Sequence, residues 1–282
     1  MLTFSHQYNY QLNIISLPNS SVLIGKERLG RGEFGTVYRA TSLSLGYVAI
    51  KEVDSEKDEK AQKIFIKELK QLSRSSHVRI IKFYGISLDS QKKTHYIVME
   101  YANNGTLRDY LRSYELKWPE KILLASQIAE GMTDLHSIDI IPRDLHTLNI
   151  LIHDKSVKIS DFGLSKNLNS SATTSSKGFY GVMPFIDPRK LDVYSIGVLM
   201  WEISSNGQPP FGQSNDPYGL LIKLITGSRE EPIAGTPNQY IDLYSECWDY
   251  EPNNRPSMEE IFRRLNSLIL DSKYDETNLI SF

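Results

Sequence analysis

Cysteine is nearly absent from this chain of 282 residues, which contains only Cys247. A single cysteine excludes an internal disulfide and fits a reducing compartment, so we expect a cytoplasmic protein. Cys247 lies beside Trp248 in an apolar and aromatic stretch. That setting favours a structural thiol over a reactive one.

Long apolar runs are also missing. The longest, at residues 196–201, is far shorter than the ~20 apolar residues that a membrane-spanning helix requires. Residues 1–11 lack the basic segment and the long apolar block of a secretory signal. These absences predict a protein that does not insert into a membrane.

No charge of one sign dominates the chain. The 32 Lys and Arg residues nearly balance the 34 Asp and Glu residues, for a net charge of -2. This balance gives no electrostatic reason to expect nucleic acid or an anionic membrane as a partner. Hydrophobic residues make up 40% of the chain, and its length suffices for one large domain or two modest lobes with a sizeable core.

The predicted elements change in character near residue 102. Before it, the sequence predicts short strands, including 48–53 and 96–101, around one helix at 60–73. After a turn at 103–105, it predicts helices at 107–111, 122–136, 193–204, 218–225 and 258–269. We therefore predict an α+β protein with an N-terminal extension (1–22), a domain at 23–269 whose two parts are 23–102 and 103–269, and a C-terminal tail (270–282).

A glycine-rich loop lies in the strand-rich part. Gly30, Gly32 and Gly35 form the pattern G-x-G-x-x-G. Glycines let the backbone approach phosphates closely and present N–H donors to them. A dinucleotide-binding fold requires a helix after this pattern, but residues 36–38 have a strand pattern, so the loop joins two strands. A plain hairpin turn is the alternative.

Lys51 ends the strand-like run at residues 48–51. Alternate residues of a strand share a face, so Ala49 and Lys51 point together while Val48 and Ile50 face the other way. A small residue that admits a flat base and a cation that reaches phosphates fit one nucleotide pocket. A surface lysine at the end of a strand is the alternative.

Glu68 is a candidate partner for that lysine. It lies four residues before Leu72 on the predicted helix, so the two side chains share a face. An acid on this partly apolar face can pair with Lys51 and hold it toward a phosphate. Because several lysines lie nearby, a solvated surface charge is the alternative.

The most specific motif runs from Arg143 and Asp144 to Asn149 and is followed by Asp161-Phe162-Gly163. Two short apolar segments between them, 150–152 and 157–159, predict a hairpin that brings Asn149 close to Asp161. An amide oxygen and a carboxylate suit Mg²⁺, and Asp144 can then reach a substrate hydroxyl. Two unrelated acidic loops are the alternative.

Together these motifs resemble the eukaryotic protein-kinase family, from about residue 23 to residue 265. The resemblance implies a two-lobed fold with an antiparallel sheet and one long helix in the small lobe and mainly helices in the large lobe. It implies a protein substrate, with ATP in the cleft near residues 100–103. The expected reaction is transfer of the γ-phosphoryl group to Ser or Thr, as in the tyrosine-kinase-like subgroup, with Tyr left open.

The resemblance also implies roles for individual residues. The implied catalytic residues are Asp144, Lys51, Glu68 and Arg143. Asn149 and Asp161 are the implied Mg²⁺ ligands, and Asp192 is the implied anchor of the catalytic loop. The residues implied to contact the nucleotide are Gly30, Arg31, Gly32, Gly35, Val37, Ala49, Lys51, Met99, Glu100, Ala102 and Leu151.

Three positions depart from the family pattern. Pro142 replaces the usual histidine before Arg143, which predicts weaker support for Phe162. His146 stands where many members have lysine, alanine or arginine. Only three residues separate Pro188 from Asp192, where the family has a longer connector with a short helix. An ATP-binding pseudokinase that acts as an interaction module is therefore the alternative to an active kinase.

The short connector also removes the usual glutamate partner of Arg255. A buried arginine without a partner would cost roughly 3–5 kcal/mol. We therefore expect Arg255 to pair with Asp187 or Glu251, or else a loosened substrate-binding floor.

Overall fold

A computed structural model describes residues 23–32, 35–53, 68–89, 94–161, 166–167, 188–212 and 227–278. The chain divides into two compact units. The first contains the described residues up to Asn103 together with Ser160 and Asp161, and the second contains the others. Among the described residues, no helix combines the length and apolar character needed to cross a membrane.

The first unit is built on a five-stranded antiparallel sheet with the strand order β1-β2-β3-β5-β4. Its strands are β1 (Leu23–Gly32), β2 (Gly35–Ser42), β3 (Gly46–Val53), β4 (Phe83–Asp89) and β5 (Thr94–Glu100). Residues 68–72 are helical (α1). The glycine-rich loop therefore joins two strands, as predicted, with Gly32 paired to Gly35.

One face of this sheet forms a small apolar core. Val48 and Ile50 of β3 are completely buried and pack with Ala40, Tyr96 and Val98. Because side chains alternate along a strand, Ala49 and Lys51 lie on the opposite face. The predicted division of residues 48–51 between two faces is confirmed.

The second unit is mainly helical. Its helices are α2 (Leu107–Ser113), α3 (Trp118–Ser137), α4 (Pro188–Ser204), α5 (Asn238–Cys247) and α6 (Met258–Asn278), with a 3₁₀ turn at Pro252–Asn254. Thr106 caps α2 by accepting a hydrogen bond from the Asp109 N–H. At α3 the direction is reversed, because the side chain of Glu120 in the first turn accepts the backbone N–H of Lys117, which precedes the helix.

Two short antiparallel strand pairs complete the second unit. Strand β7 (Ile150–His153) pairs with β8 (Ser156–Ile159), and Ile150 lies opposite Ile159. The predicted hairpin is confirmed, but its turn contains only Asp154 and Lys155, both with positive φ. Strand β6 (Ile140–Ile141) pairs with β9 (Lys166–Asn167), a pairing that the sequence did not predict.

Helix α4 approaches α5 very closely at Gly197. A Cβ atom at this position would lie 2.9 Å from the Tyr244 carbonyl oxygen and 3.0 Å from the Cys247 Cβ. The aromatic rings of Tyr240, Tyr244 and Trp248 stack edge to face along α5. Helix α5 was not predicted, whereas the helix predicted at 218–225 lies outside the described residues.

Candidate functional site

Four of the residues expected to contact a nucleotide share one face of the sheet. Val37 on β2 lies opposite Lys51, and Met99 on β5 lies opposite Ala49. Directly paired residues project from the same face. Strand register therefore brings Val37, Ala49, Lys51 and Met99 together on the face opposite the apolar core.

The glycines of the loop differ in what surrounds them. At Gly35, φ is +140° and a Cβ would lie 2.2 Å from the Glu52 carbonyl oxygen, so no larger residue fits there. At Gly30, no described atom lies within 4 Å of the Cβ position. Contacts within the described protein therefore explain Gly35 but not Gly30.

Lys51 and Glu68 form a buried ion pair. The Lys51 Nζ lies 2.7 Å from Glu68 Oε1 and 2.9 Å from Oε2, and the two residues are 5% and 3% exposed. Burial by itself would lower the pKa of the Lys51 amine, but the carboxylates of Glu68 and Asp161 outweigh it and raise that pKa. Burial also raises the pKa of the Glu68 carboxyl. Glu68 thus pairs with Lys51 as expected, and the alternative of a solvated surface charge is wrong.

Asp161 is the third member of this group. Its Oδ1 lies 3.5 Å from the Lys51 Nζ. The residue has a φ of +61°, in the left-handed region that residues other than glycine enter at a cost. Lys51, Glu68 and Asp161 therefore meet, although Asp161 lies 110 positions from Lys51 in the sequence.

Asp144 and Asn149 meet in the loop before β7. The Asn149 Nδ2 donates to the Asp144 carbonyl oxygen at 2.9 Å and lies 3.2 Å from Asp144 Oδ2. The backbone N–H of Asn149 donates to the His146 carbonyl oxygen at 2.9 Å. These bonds close the loop and turn the amide oxygen of Asn149 away from Asp144.

His146 lies on the other side of the Asp144 carboxylate. Its Nε2 is 3.5 Å from Asp144 Oδ1. The hydrogen bond from His146 is the main reason that the pKa of the Asp144 carboxyl lies below its usual value, and partial burial opposes it. Asp144 therefore remains a carboxylate at neutral pH.

Asp192 holds the beginning of this loop. It is fully buried, and its Oδ1 accepts the backbone N–H of Arg143 at 3.2 Å. Its Oδ2 lies 2.9 Å from the Nε2 of His136. Arg143 itself has a φ of +65°. Burial raises the pKa of the Asp192 carboxyl, although the bonds from His136 and Arg143 lower it.

A second buried acid holds the same loop and was missed at the sequence level. Glu202 Oε1 accepts the hydroxyl of Thr147 at 2.8 Å and the Nε–H of Arg108 at 2.6 Å. Thr147 and Glu202 are both buried. In the sequence, Glu202 is the one charged residue in the otherwise largely apolar segment 196–203. This isolated charge could have indicated a buried acid. The loop is thus fastened to both ends of α4.

Arg255 finds neither of its expected partners among the described residues. Its NH1 donates to the Lys190 carbonyl oxygen at 2.8 Å and its Nε donates to the Asp249 carbonyl oxygen at 2.9 Å. Its guanidinium also lies 5.1 Å from the centre of the Tyr194 ring. The expectation of pairing with Glu251 is wrong because backbone oxygens satisfy the cation, and Asp187 lies outside the described residues.

The helix α4 begins at Pro188 and continues unbroken to Ser204. Asp192 therefore lies in its second turn, and the described residues between Pro188 and Asp192 contain no separate short helix. Proline is well suited to a first helical turn because it lacks the N–H that would lie unpaired there.

The remaining predicted site residues lie at the edges of these groups. Glu100 ends β5, and its backbone N–H donates to the Lys82 carbonyl oxygen at 2.9 Å. Ala102 is buried, whereas Arg31 is exposed and Leu151 is half-buried on β7. Phe162, whose support Pro142 was expected to weaken, lies outside the described residues.

The sequence of this chain matches one protein family and resembles several known proteins. The family described as protein tyrosine and serine/threonine kinase matches residues 23–265. A putative serine/threonine-protein kinase/receptor of Acanthamoeba polyphaga mimivirus is 32% identical over 268 residues, which cover 87% of this chain and 16% of that protein. Tyrosine-protein kinase Abl of Drosophila melanogaster is 31% identical over 265 residues, 89% of this chain and 16% of its own length.

An inactive relative is similar to the same extent. Inactive tyrosine-protein kinase 7 of Homo sapiens is 30% identical over 272 residues, which cover 87% of this chain and 25% of that protein. The chain thus spans between about a sixth and a quarter of the length of these three relatives.

Proposed function

Because this chain belongs to the protein tyrosine and serine/threonine kinase family, we propose that it transfers the γ-phosphoryl group of ATP to Ser or Thr hydroxyls of a protein. The observation that carries the proposal is the buried pair of Lys51 and Glu68, with Asp161 beside it. A buried ion pair is a poor way to gain stability. Its presence in this protein favours a role in binding charge.

Lys51 is the residue proposed to bind the phosphates of ATP. Glu68 holds the Nζ at two oxygens, so the ammonium stays charged and fixed in place. Gly30 leaves open space where a side chain would otherwise lie, which suits close approach of phosphate oxygens to the backbone. Val37, Ala49 and Met99, on the Lys51 face of the sheet, are proposed to contact the adenine.

Asp144 is the residue proposed to orient the acceptor hydroxyl. The hydroxyl oxygen forms the new bond to the γ-phosphorus as the bond to the β-phosphate oxygen breaks, and ADP leaves with that electron pair. The hydroxyl proton passes to an Asp144 carboxylate oxygen. Asn149 and the anchor at Asp192 hold this carboxylate at its place in the loop.

Asn149 and Asp161 are each proposed as a ligand of Mg²⁺. An amide oxygen and a carboxylate are hard donors of the kind that Mg²⁺ prefers, and Mg²⁺ commonly takes further ligands from substrate phosphates. The Asn149 nitrogen bonds to Asp144, and its amide oxygen is the atom proposed to bind the metal. The ion would supply neutralisation of the charge on the transferring phosphate.

The proposal is tested by incubating the protein with Mg-ATP and measuring phosphate on it, and on a generic protein substrate, by mass spectrometry. We expect phosphate on Ser or Thr with the native protein and none with Asp144→Asn. Asp154→Asn is the matched control, because Asp154 lies in the exposed turn of the β7–β8 hairpin. Equal phosphate on the native protein and on Asp144→Asn contradicts the assignment of Asp144.

A second candidate function is an ATP-binding pseudokinase that acts as an interaction module. It is favoured by the similarity to inactive tyrosine-protein kinase 7, by Pro142 and by the short connector before Asp192. Under this function, Mg-ATP would raise the melting temperature while no substrate acquired phosphate. Detection of phosphate transfer that depends on Asp144 excludes it.

A further inference from the structure

The Asp144 carboxylate is held on both of its oxygens. Oδ2 faces the Asn149 amide nitrogen at 3.2 Å, and Oδ1 faces the His146 Nε2 at 3.5 Å. A distance of 3.5 Å is long for a hydrogen bond. Polar contacts of this kind in sites without substrate are often loose and tighten when the acceptor is bound.

The two nitrogens of His146 have different surroundings. Nδ1 is buried and takes no hydrogen bond from the described residues, whereas the side chain as a whole is 41% exposed. A carboxylate only accepts hydrogen bonds, so attraction to Asp144 requires the hydrogen on Nε2. Because Nδ1 is buried without a partner among the described residues, Nε2 is the ring nitrogen that can donate to Asp144.

From this geometry we propose that His146 is a positioning residue for Asp144, whose Nε2–H holds the carboxylate oxygen that Asn149 leaves unbound. The proposal rests on the kinase function proposed above. In this role His146 acts through Asp144. Where many members of the family have lysine, alanine or arginine, His146 directs a single donor, Nε2–H, at the carboxylate. Its proposed contribution is therefore to orient Asp144.

The loop around the contact is rigidly built. Thr147 is fastened to Glu202, and the His146 carbonyl oxygen accepts the N–H of Asn149. The backbone at His146 is thereby fixed, so only the torsions of the side chain itself remain to be ordered when it holds Asp144.

Two substitutions separate the roles of the two ring nitrogens. In His146→Gln the amide nitrogen lies the same number of bonds from Cβ as Nε2, whereas in His146→Asn it lies at the level of Nδ1. His153→Ala is the control, because His153 forms a similar contact of 3.6 Å with Asp154 at the hairpin turn. This contact is made with a residue that has no proposed catalytic role.

We expect His146→Ala and His146→Asn to lower kcat by about tenfold to a hundredfold, the range for loss of orientation at a reacting group. The KM for ATP should stay within about twofold, and His146→Gln and His153→Ala should keep most of the native kcat. An unchanged kcat in His146→Ala overturns the proposal. So does an equal loss in the Gln and Asn variants, or a change confined to the KM for ATP.

If the native protein transfers no phosphate, the proposed kinase function is contradicted but the positioning role of His146 is not. An NMR measurement then tests the positioning role. The ¹³C resonance of the Asp144 carboxylate is measured at one fixed neutral pH in protein labelled at aspartate. We expect it to shift in His146→Ala and His146→Asn and to remain near its native position in His146→Gln and His153→Ala. A resonance that is unmoved in His146→Ala overturns the positioning role whatever the activity.

Discussion

At the scale of single residues, the ion pair of Lys51 and Glu68 has the greatest energetic consequence. Both side chains are almost completely buried, so each charge depends on the other for its stability. Removing one partner of a buried pair leaves an uncompensated charge, whereas removing both is often nearly neutral. Because Lys51 is also the residue proposed to bind the phosphates, its substitution should affect both the stability of the fold and the binding of ATP.

Substitution of Lys51 tests this coupling. We expect Lys51→Met to lower the free energy of unfolding by about 3–5 kcal/mol, because Glu68 is left buried without a cation. The double variant Lys51→Met, Glu68→Leu should recover most of this loss while remaining unable to transfer phosphate. Urea unfolding measures both values. Equal stability of Lys51→Met and the native protein contradicts the prediction.

The stability deficit of Lys51→Met should also depend on pH. Burial raises the pKa of the Glu68 carboxyl, and loss of Lys51 removes a contribution that lowers it. A carboxyl whose folded-state pKa exceeds its unfolded value destabilises the protein above that folded pKa and does so less as pH falls through it. Urea unfolding at neutral and mildly acidic pH should therefore show a smaller deficit at the acidic value.

At the scale of elements, α4 organises the second unit. Asp192 near its start and Glu202 near its end hold the two parts of the catalytic loop. The carbonyl oxygen of Lys190, in the first turn of α4, accepts a hydrogen bond from NH1 of Arg255. The Lys190 amine in turn donates to the Arg255 carbonyl oxygen. The position of α4 against its neighbours therefore sets the position of the loop.

Gly197 tests how tightly α4 is packed. Alanine normally stabilises a helix interior relative to glycine by roughly 0.5–1 kcal/mol. At this position the added Cβ would meet backbone atoms of Tyr244 and Trp248 at 2.9 and 3.0 Å. We expect Gly197→Ala to lower the free energy of unfolding by about 1–3 kcal/mol, the usual cost of overpacking. A rise in melting temperature in Gly197→Ala would contradict the prediction, because it would mean that α4 and α5 move apart at little cost.

At the scale of the whole molecule, chain connectivity assigns the proposed residues to two units. Lys51, Glu68 and Asp161 belong to the first unit, and Asp144 and Asn149 belong to the second. The chain returns to the first unit for Asp161 directly after the β7–β8 hairpin. The residue proposed to bind the phosphates, Lys51, and the residue proposed to orient the acceptor hydroxyl, Asp144, thus belong to different units, so binding and transfer can be impaired separately by substitution.

Nucleotide binding tests this separation. A ligand at about 100 times its Kd stabilises the folded protein by roughly 2.7 kcal/mol, so Mg-ATP should raise the melting temperature by several degrees. We expect Asp144→Asn to keep this rise and Lys51→Met to lose it. Scanning fluorimetry with and without Mg-ATP measures the shift. An equal rise in Lys51→Met would contradict the proposed role of Lys51 in binding phosphates.

Short-range patterns in the sequence predicted much of the fold and of the site. The kinase fold, confirmed by the family match over residues 23–265, was indicated by motifs that each occupy a few consecutive residues. The faces of β3 followed from strand alternation, and the β7–β8 hairpin from two apolar segments and a turn. These features depend on local geometry, which neighbouring residues determine.

Other features were decided only by the tertiary structure. The partners of Arg255 are backbone oxygens, and a carbonyl group has no signature in the sequence. Helix α5 escaped prediction because its buried positions are partly tyrosines, which have no strong helical preference. The contacts of Thr147 with Glu202 and of Lys51 with Asp161 join residues 55 and 110 positions apart. The sequence by itself determined which chemical groups are present and their local faces, whereas packing decided which of them meet.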